Sequence, residues 1–148
     1  MATKLCFVTT GATAPFTALI ESILSQASLN ELIKCKVTHV FIQYGTAKDV
    51  YEASAKAARD YLKQDGKEGQ LEIDGMDFDS GGLRKQFKLV RETNGLAISH
   101  AGSGSILEAL RFEVPLIVVP NTALLDNHQA ELAIAMDHHN YLIHGNIK

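Results

Sequence analysis

A chain of 148 residues, 46% apolar and 21% charged, has the composition of a soluble globular protein and the length of one domain. Its formal net charge of -3, with both signs interspersed, excludes the basic stripe that a nucleic-acid partner requires. No apolar stretch approaches the roughly 20 residues of a membrane span, and Met1–Lys4 with Leu5–Val8 does not read as a signal peptide; the expected setting is cytoplasmic, with membrane contact only through another protein.

In chain order, Leu5–Val8 reads as a buried strand, with Cys6 as a small core residue of a reducing compartment. Cys6 and Cys35 have neither metal-ligand nor redox spacing. The loop Thr9-Thr10-Gly11-Ala12-Thr13 follows, then a helix over Ala14–Ser25 with Thr13 as N-cap and Pro15 in its first turn. Val40–Ile42 is the second strand, and Asp49–Lys63 a helix whose apolar face is read as Val50, Ala53, Ala57 and Tyr61. Lys63–Gln70 reads as a solvated connection, Leu71–Ile73 as the third strand and Gly82–Glu92 as the next helix. Leu96–Ile98, a helix over Ile106–Phe112, Leu116–Val119, a helix over Asp126–Asp137 and the weak strand Tyr141–Ile143 complete the pattern.

Strands alternating with helices predict an α/β domain over residues 1–148. The expected architecture is a Rossmann-like parallel sheet of about six strands, with helices on both faces. Such sheets bind ligands outside the carboxyl ends of their strands, so the loops after each apolar run are the candidate sites.

Three of these loops carry chemistry. Ser99-His100-Ala101-Gly102-Ser103-Gly104-Ser105 leads into a helix start. Gly102 and Gly104 let the backbone approach a ligand, the helix amides face an anion, and Ser103 and Ser105 add hydroxyls; a diphosphate fits, and so does a plain tight turn. Glu108, one turn in, reads equally as acceptor for two ribose hydroxyls or as the Glu of a capping box begun at Ser105. Asn121, after the fifth strand, and the run Asp126-Asn127-His128-Gln129 suit a polyhydroxylated sugar, or an ordinary Asp N-cap with a polar first turn. In the first loop, Gly11 and Thr13 offer a second anion contact or a turn. That loop lacks the G-x-G-x-x-G spacing of a dinucleotide site.

No metal site and no cofactor are expected. Asp77-Phe78-Asp79 matches D-x-D, but it precedes the turn Ser80-Gly81-Gly82. Of the late histidines His128, His138, His139 and His144, His128 and His139 would lie ~16 Å apart on one helix, too far to share an ion.

The run from Ile98 to Arg111, followed by Val114–Val119 and Leu125–Gln129, resembles glycosyltransferase family 28, in its C-terminal nucleotide-sugar-binding domain. Phe7–Phe16 and Phe41-Ile42-Gln43-Tyr44-Gly45 are similar to the start and second strand of the branch that serves asparagine-linked glycosylation. The resemblance implies the C-terminal half of a GT-B fold and transfer of GlcNAc from UDP-GlcNAc, by inversion, to GlcNAc-diphosphodolichol. It implies a separate membrane-anchored subunit that binds the dolichol-linked acceptor, and a peripheral location on the cytosolic face of the endoplasmic reticulum through that subunit. It assigns His100–Ser105 to the diphosphate, Glu108 to the ribose and Asp126–Gln129 to the sugar. The catalytic base stays unassigned. The alternatives from other classes are a non-catalytic nucleotide-sugar-binding module and an NAD-dependent oxidoreductase.

Overall fold

Short apolar runs bounded by Gly, Asn and Ser build a single parallel sheet. The computed structural model of the chain describes residues 2–10, 17–77, 83–100, 109, 111–119 and 143–144. Its strands are β1 (Leu5–Thr9), β2 (His39–Gln43), β3 (Glu72–Met76), β4 (Leu96–His100), β5 (Leu116–Val119) and β6 (Ile143–His144). They pair in parallel in the order β3-β2-β1-β4-β5-β6. From β1 the chain winds outward through β2 to β3, then crosses back to β4 on the other side of β1. That reversal falls between β1 and β4, whose carboxyl ends are the position where doubly wound sheets bind ligands. The expected six-stranded, Rossmann-like α/β sheet is therefore the one observed.

Four helices lie among the described residues: α1 (Thr17–Ile23), α2 (Gln26–Lys34), α3 (Lys48–Gln64) and α4 (Arg84–Glu92). Because side chains alternate along each strand, the sheet has two apolar faces. Cys6, Val8, Val40, Ile42 and Ile98 pack with Leu19, Ile20 and Ile23 of α1, Leu29 and Leu32 of α2, and Ala55 and Ala58 of α3. On the opposite face, Phe7, Ala97, Leu116 and Val118 pack with Phe87 and Val90 of α4 and with Ala109. Phe7 and Phe87 meet edge to face at 5.6 Å between ring centres. Each buried Val, Leu, Ile or Phe side chain among them contributes on the order of 1.5–3 kcal/mol of transfer free energy. Burial pushes the Cys6 thiol up to about 12, so it behaves as the inert core residue expected of it.

Three readings need correction. The first helix does not run to Ser25. Ser25 is extended (φ -70°, ψ 158°), its hydroxyl donates to the Ser22 carbonyl at 2.7 Å and accepts from the Ser28 amide. One serine thus closes α1 and caps α2, a helix absent from the sequence reading although Leu29, Leu32 and Ile33 carry its periodicity. In α3 the buried stripe is Tyr51, Ala55, Ala58 and Leu62, whereas Ala53 and Ala57 are exposed. Both stripes obey the helical period; the observed one buries the larger Leu62, and its two alanines let the helix approach its neighbours. Finally, β1, β2, β3 and β4 outrun their apolar runs at the carboxyl end, to Thr9, Gln43, Met76 and His100.

Ala109 and Arg111 are helical, as expected for Ile106–Phe112. The rest of that helix and the whole of Asp126–Asp137 lie outside the described residues. No helix among the described residues is long and apolar enough to cross a membrane.

Candidate functional site at the carboxyl edge of the sheet

Where the strands overrun their apolar cores, they end in a lateral row of aligned residues. Register places Met76 beside Gln43, Gln43 beside Thr9, Thr9 beside Ser99, and Ser99 beside Val118. The middle three are polar yet buried, at 5% exposure for Gln43, 1% for Thr9 and 0% for Ser99. A buried polar group costs roughly 1–3 kcal/mol unless paired, and here each has a partner. The Thr9 hydroxyl donates to Gln43 Oε1, and Gln43 Nε2 donates to the Asp77 carbonyl at 3.1 Å. The Ser99 hydroxyl donates to the His100 carbonyl at 2.8 Å. Thr10 donates twice to the Gln43 carbonyl, from its hydroxyl at 2.8 Å and its amide at 3.2 Å.

His100 ends β4 at this edge and is half-buried. Its Nδ1 is buried and has no hydrogen-bond partner among the described residues. Burial lowers its pKa from the ordinary 6.5, and the Thr9 backbone offsets this in part. The direction favours the neutral imidazole, at the start of the Gly/Ser-rich loop.

Of the residues expected to bind the donor, His100 is the one within the described set. Gly11, Thr13, Gly102, Ser103, Gly104, Ser105, Glu108, Asn121, Asp126, Asn127, His128 and Gln129 lie outside it. The strands feeding their loops are described, and they are neighbours. Residues 11–13 follow β1, 101–108 follow β4, and 121 follows β5, so the three candidate loops leave from three adjacent strands at one edge. Asp77, of the D-x-D pattern, is tied by its backbone carbonyl to Gln43 and to the Gly45 amide at 3.2 Å, while Asp79 lies outside the described residues. A surface cleft of about 420 Å³, lined by residues such as Arg59, Lys63, Glu68 and Asp74, runs along the edge strand β3 instead, away from this convergence.

Sequence reasoning did not single out Gln43, Thr9 or Ser99, although Thr9 and Ser99 open two of the loops it considered. Their signal was polarity at the end of an apolar run, at positions of strand register that only pairing reveals.

The glycosyltransferase family 28 C-terminal domain matches residues 5–143 of this chain. Among curated relatives, a UDP-N-acetylglucosamine transferase subunit, ALG13, of Eremothecium gossypii is 38% identical, over 88% of this chain and 68% of its own length. Its Saccharomyces cerevisiae counterpart is 36% identical over 88% and 71%, respectively. An NMR solution structure of ALG13 superposes with a TM-score of 0.64 at 32% identity, covering 96% of this chain and 78% of that one. Sequence, sheet order and superposition agree, and the family sets aside the oxidoreductase alternative. The chain belongs to glycosyltransferase family 28 and carries its C-terminal domain, in a Rossmann-like α/β fold.

Proposed function

We propose that the chain, as one donor-binding domain over residues 1–148, is the catalytic subunit of a UDP-GlcNAc transferase. It adds the second GlcNAc to GlcNAc-diphosphodolichol with inversion, together with a membrane-anchored partner that binds the lipid acceptor on the cytosolic face of the endoplasmic reticulum. The observation carrying this reading is the departure of the three candidate loops from the adjacent strands β1, β4 and β5 in a family 28 domain. The word "subunit" in the names of its relatives supports a partner.

In this reading the donor diphosphate lies against His100 and the loop Gly102–Ser105, with Gly11 and Thr13 contributing from the neighbouring strand. Glu108 accepts the ribose hydroxyls, and Asn121 with Asp126, Asn127, His128 and Gln129 lines the sugar. Breaking the bond between sugar and UDP builds negative charge on the leaving diphosphate. The amides at the start of the following helix stabilise that charge by up to ~2 kcal/mol, about 30-fold in rate. Donor binding then needs no metal ion. The uncharged state of His100 suits a donor that hydrogen-bonds a phosphate oxygen without adding a proton to it.

Reconstitution tests the reading. The purified chain should bind UDP-GlcNAc in EDTA, yet transfer GlcNAc to a dolichol-linked acceptor only when the membrane partner is added. Robust transfer by the chain alone would defeat the split arrangement. Donor binding with no transfer in any reconstitution would favour a non-catalytic nucleotide-sugar module.

A further inference from the structure

We propose that Gln43 is a positioning residue of the donor site, setting the exits of β1 and β3 against each other; this rests on the donor-site reading above. Gln43 is the last residue of β2, buried between β1 and β3. Its side chain accepts from the Thr9 hydroxyl and donates to the Asp77 carbonyl at 3.1 Å, while its main-chain carbonyl takes both the Thr10 hydroxyl at 2.8 Å and the Thr10 amide at 3.2 Å. One residue therefore holds the last residue of β1, the residue after it, and the first residue after β3.

The orientation of the amide follows from chemistry. A carbonyl such as that of Asp77 can only accept, so Nε2 must face it and Oε1 must face the threonine hydroxyl. No other side chain of this length supplies a donor and an acceptor in that fork without a charge. Methionine would fill the volume but make neither bond. Glutamate would keep an acceptor for Thr9 and turn an oxygen against the Asp77 carbonyl.

Position makes this more than core packing. Thr10 directly precedes Gly11 in the chain, and Asp77 directly follows β3. Thr9 in turn aligns with Ser99, whose neighbour His100 opens the Gly/Ser-rich loop. The network thus runs from the end of β3 through Gln43 to β1, and by register to Ser99 at the carboxyl end of β4. Loosening it should leave the sheet intact and weaken donor binding.

The test compares the full chain with Gln43→Met, with Gln43→Glu, and with Thr9→Val together with Gln43→Met. UDP titration calorimetry, thermal melts and amide hydrogen exchange are measured well below the melting temperatures. Gln43→Met should remain folded, bind UDP about tenfold more weakly and exchange the Thr10 amide faster. Gln43→Glu should weaken UDP at least as much. Adding Thr9→Val removes the orphaned hydroxyl, so it should recover melting temperature without recovering UDP affinity. UDP affinity equal to wild type in Gln43→Met, or affinity that returns with stability in the double variant, would overturn the positioning role while leaving the donor site standing. A wild-type chain that takes up no UDP would overturn both.

Discussion

The same strands behave differently at two heights. At mid-sheet, Cys6 aligns with Val40 and Leu96, and Val40 with Ile73, a row of apolar side chains. Three residues further along, Thr9 aligns with Gln43 and Ser99, as deeply buried and polar. The mid-sheet row is held by non-directional burial, which tolerates exchange of one apolar side chain for another of similar volume. The upper row is held by hydrogen bonds with fixed donors and acceptors, which specify one geometry and fail when any member is removed. Stability is thus expected to reside in the first row and its helices, and ligand geometry in the second.

The largest effect should come from the core, and it should leave the edge alone. Phe87 is fully buried on α4, edge-on to Phe7, and Phe87→Ala should cost about 3–5 kcal/mol. Denaturant unfolding measures this loss, and UDP affinity at low temperature should stay within about twofold of wild type. A large drop in affinity in the folded variant would mean that core and edge are not separable.

The converse substitution is Glu108→Ala. Loss of two charge-assisted hydrogen bonds to a ribose, each worth ~1.5–3 kcal/mol, should weaken UDP by at least tenfold. Stability should fall by no more than the ~1 kcal/mol of a capping residue. Calorimetry beside thermal melts separates the two roles, and unchanged affinity with lowered melting temperature would return Glu108 to the helix cap.

The smallest effect concerns pH and links the two rows. Burial holds the His100 pKa below 6.5, so the folded chain binds that proton less readily than the unfolded chain. Its penalty is absent above the unfolded value of about 6.5, grows as pH falls below it, and levels off beneath the folded pKa. His100→Asn should therefore lose less stability than wild type between pH 7.5 and pH 5.5, with the other titrating groups cancelling in the comparison. Parallel pH profiles for the two proteins would show that the imidazole is not held neutral by its surroundings.

Legibility in the sequence followed the same division. Leu5–Val8, Val40–Ile42 and Leu96–Ile98 announced strands because burial on both faces leaves a continuous apolar run, a signal written in the residues themselves. The short helix α2 was not legible as a separate element. Its cap, Ser25, looks like any helical serine until the backbone there is seen to be extended. The buried stripe of α3 was likewise misread as Val50, Ala53, Ala57 and Tyr61, since two sets of residues satisfy one period and only the neighbours choose between them.

What the sequence by itself determined is the alternation of strands and helices, and with it a parallel sheet whose carboxyl edge is the expected ligand side. It also determined the family, through the long run after Ile98. Tertiary structure alone decided that Thr9, Gln43 and Ser99 stand side by side in the order β2-β1-β4, although they are far apart in the chain. Periodicity records which face of an element is apolar, but strand order is set by how whole elements cover one another. A hydrogen bond between Gln43 and Asp77 exists only once that order is fixed.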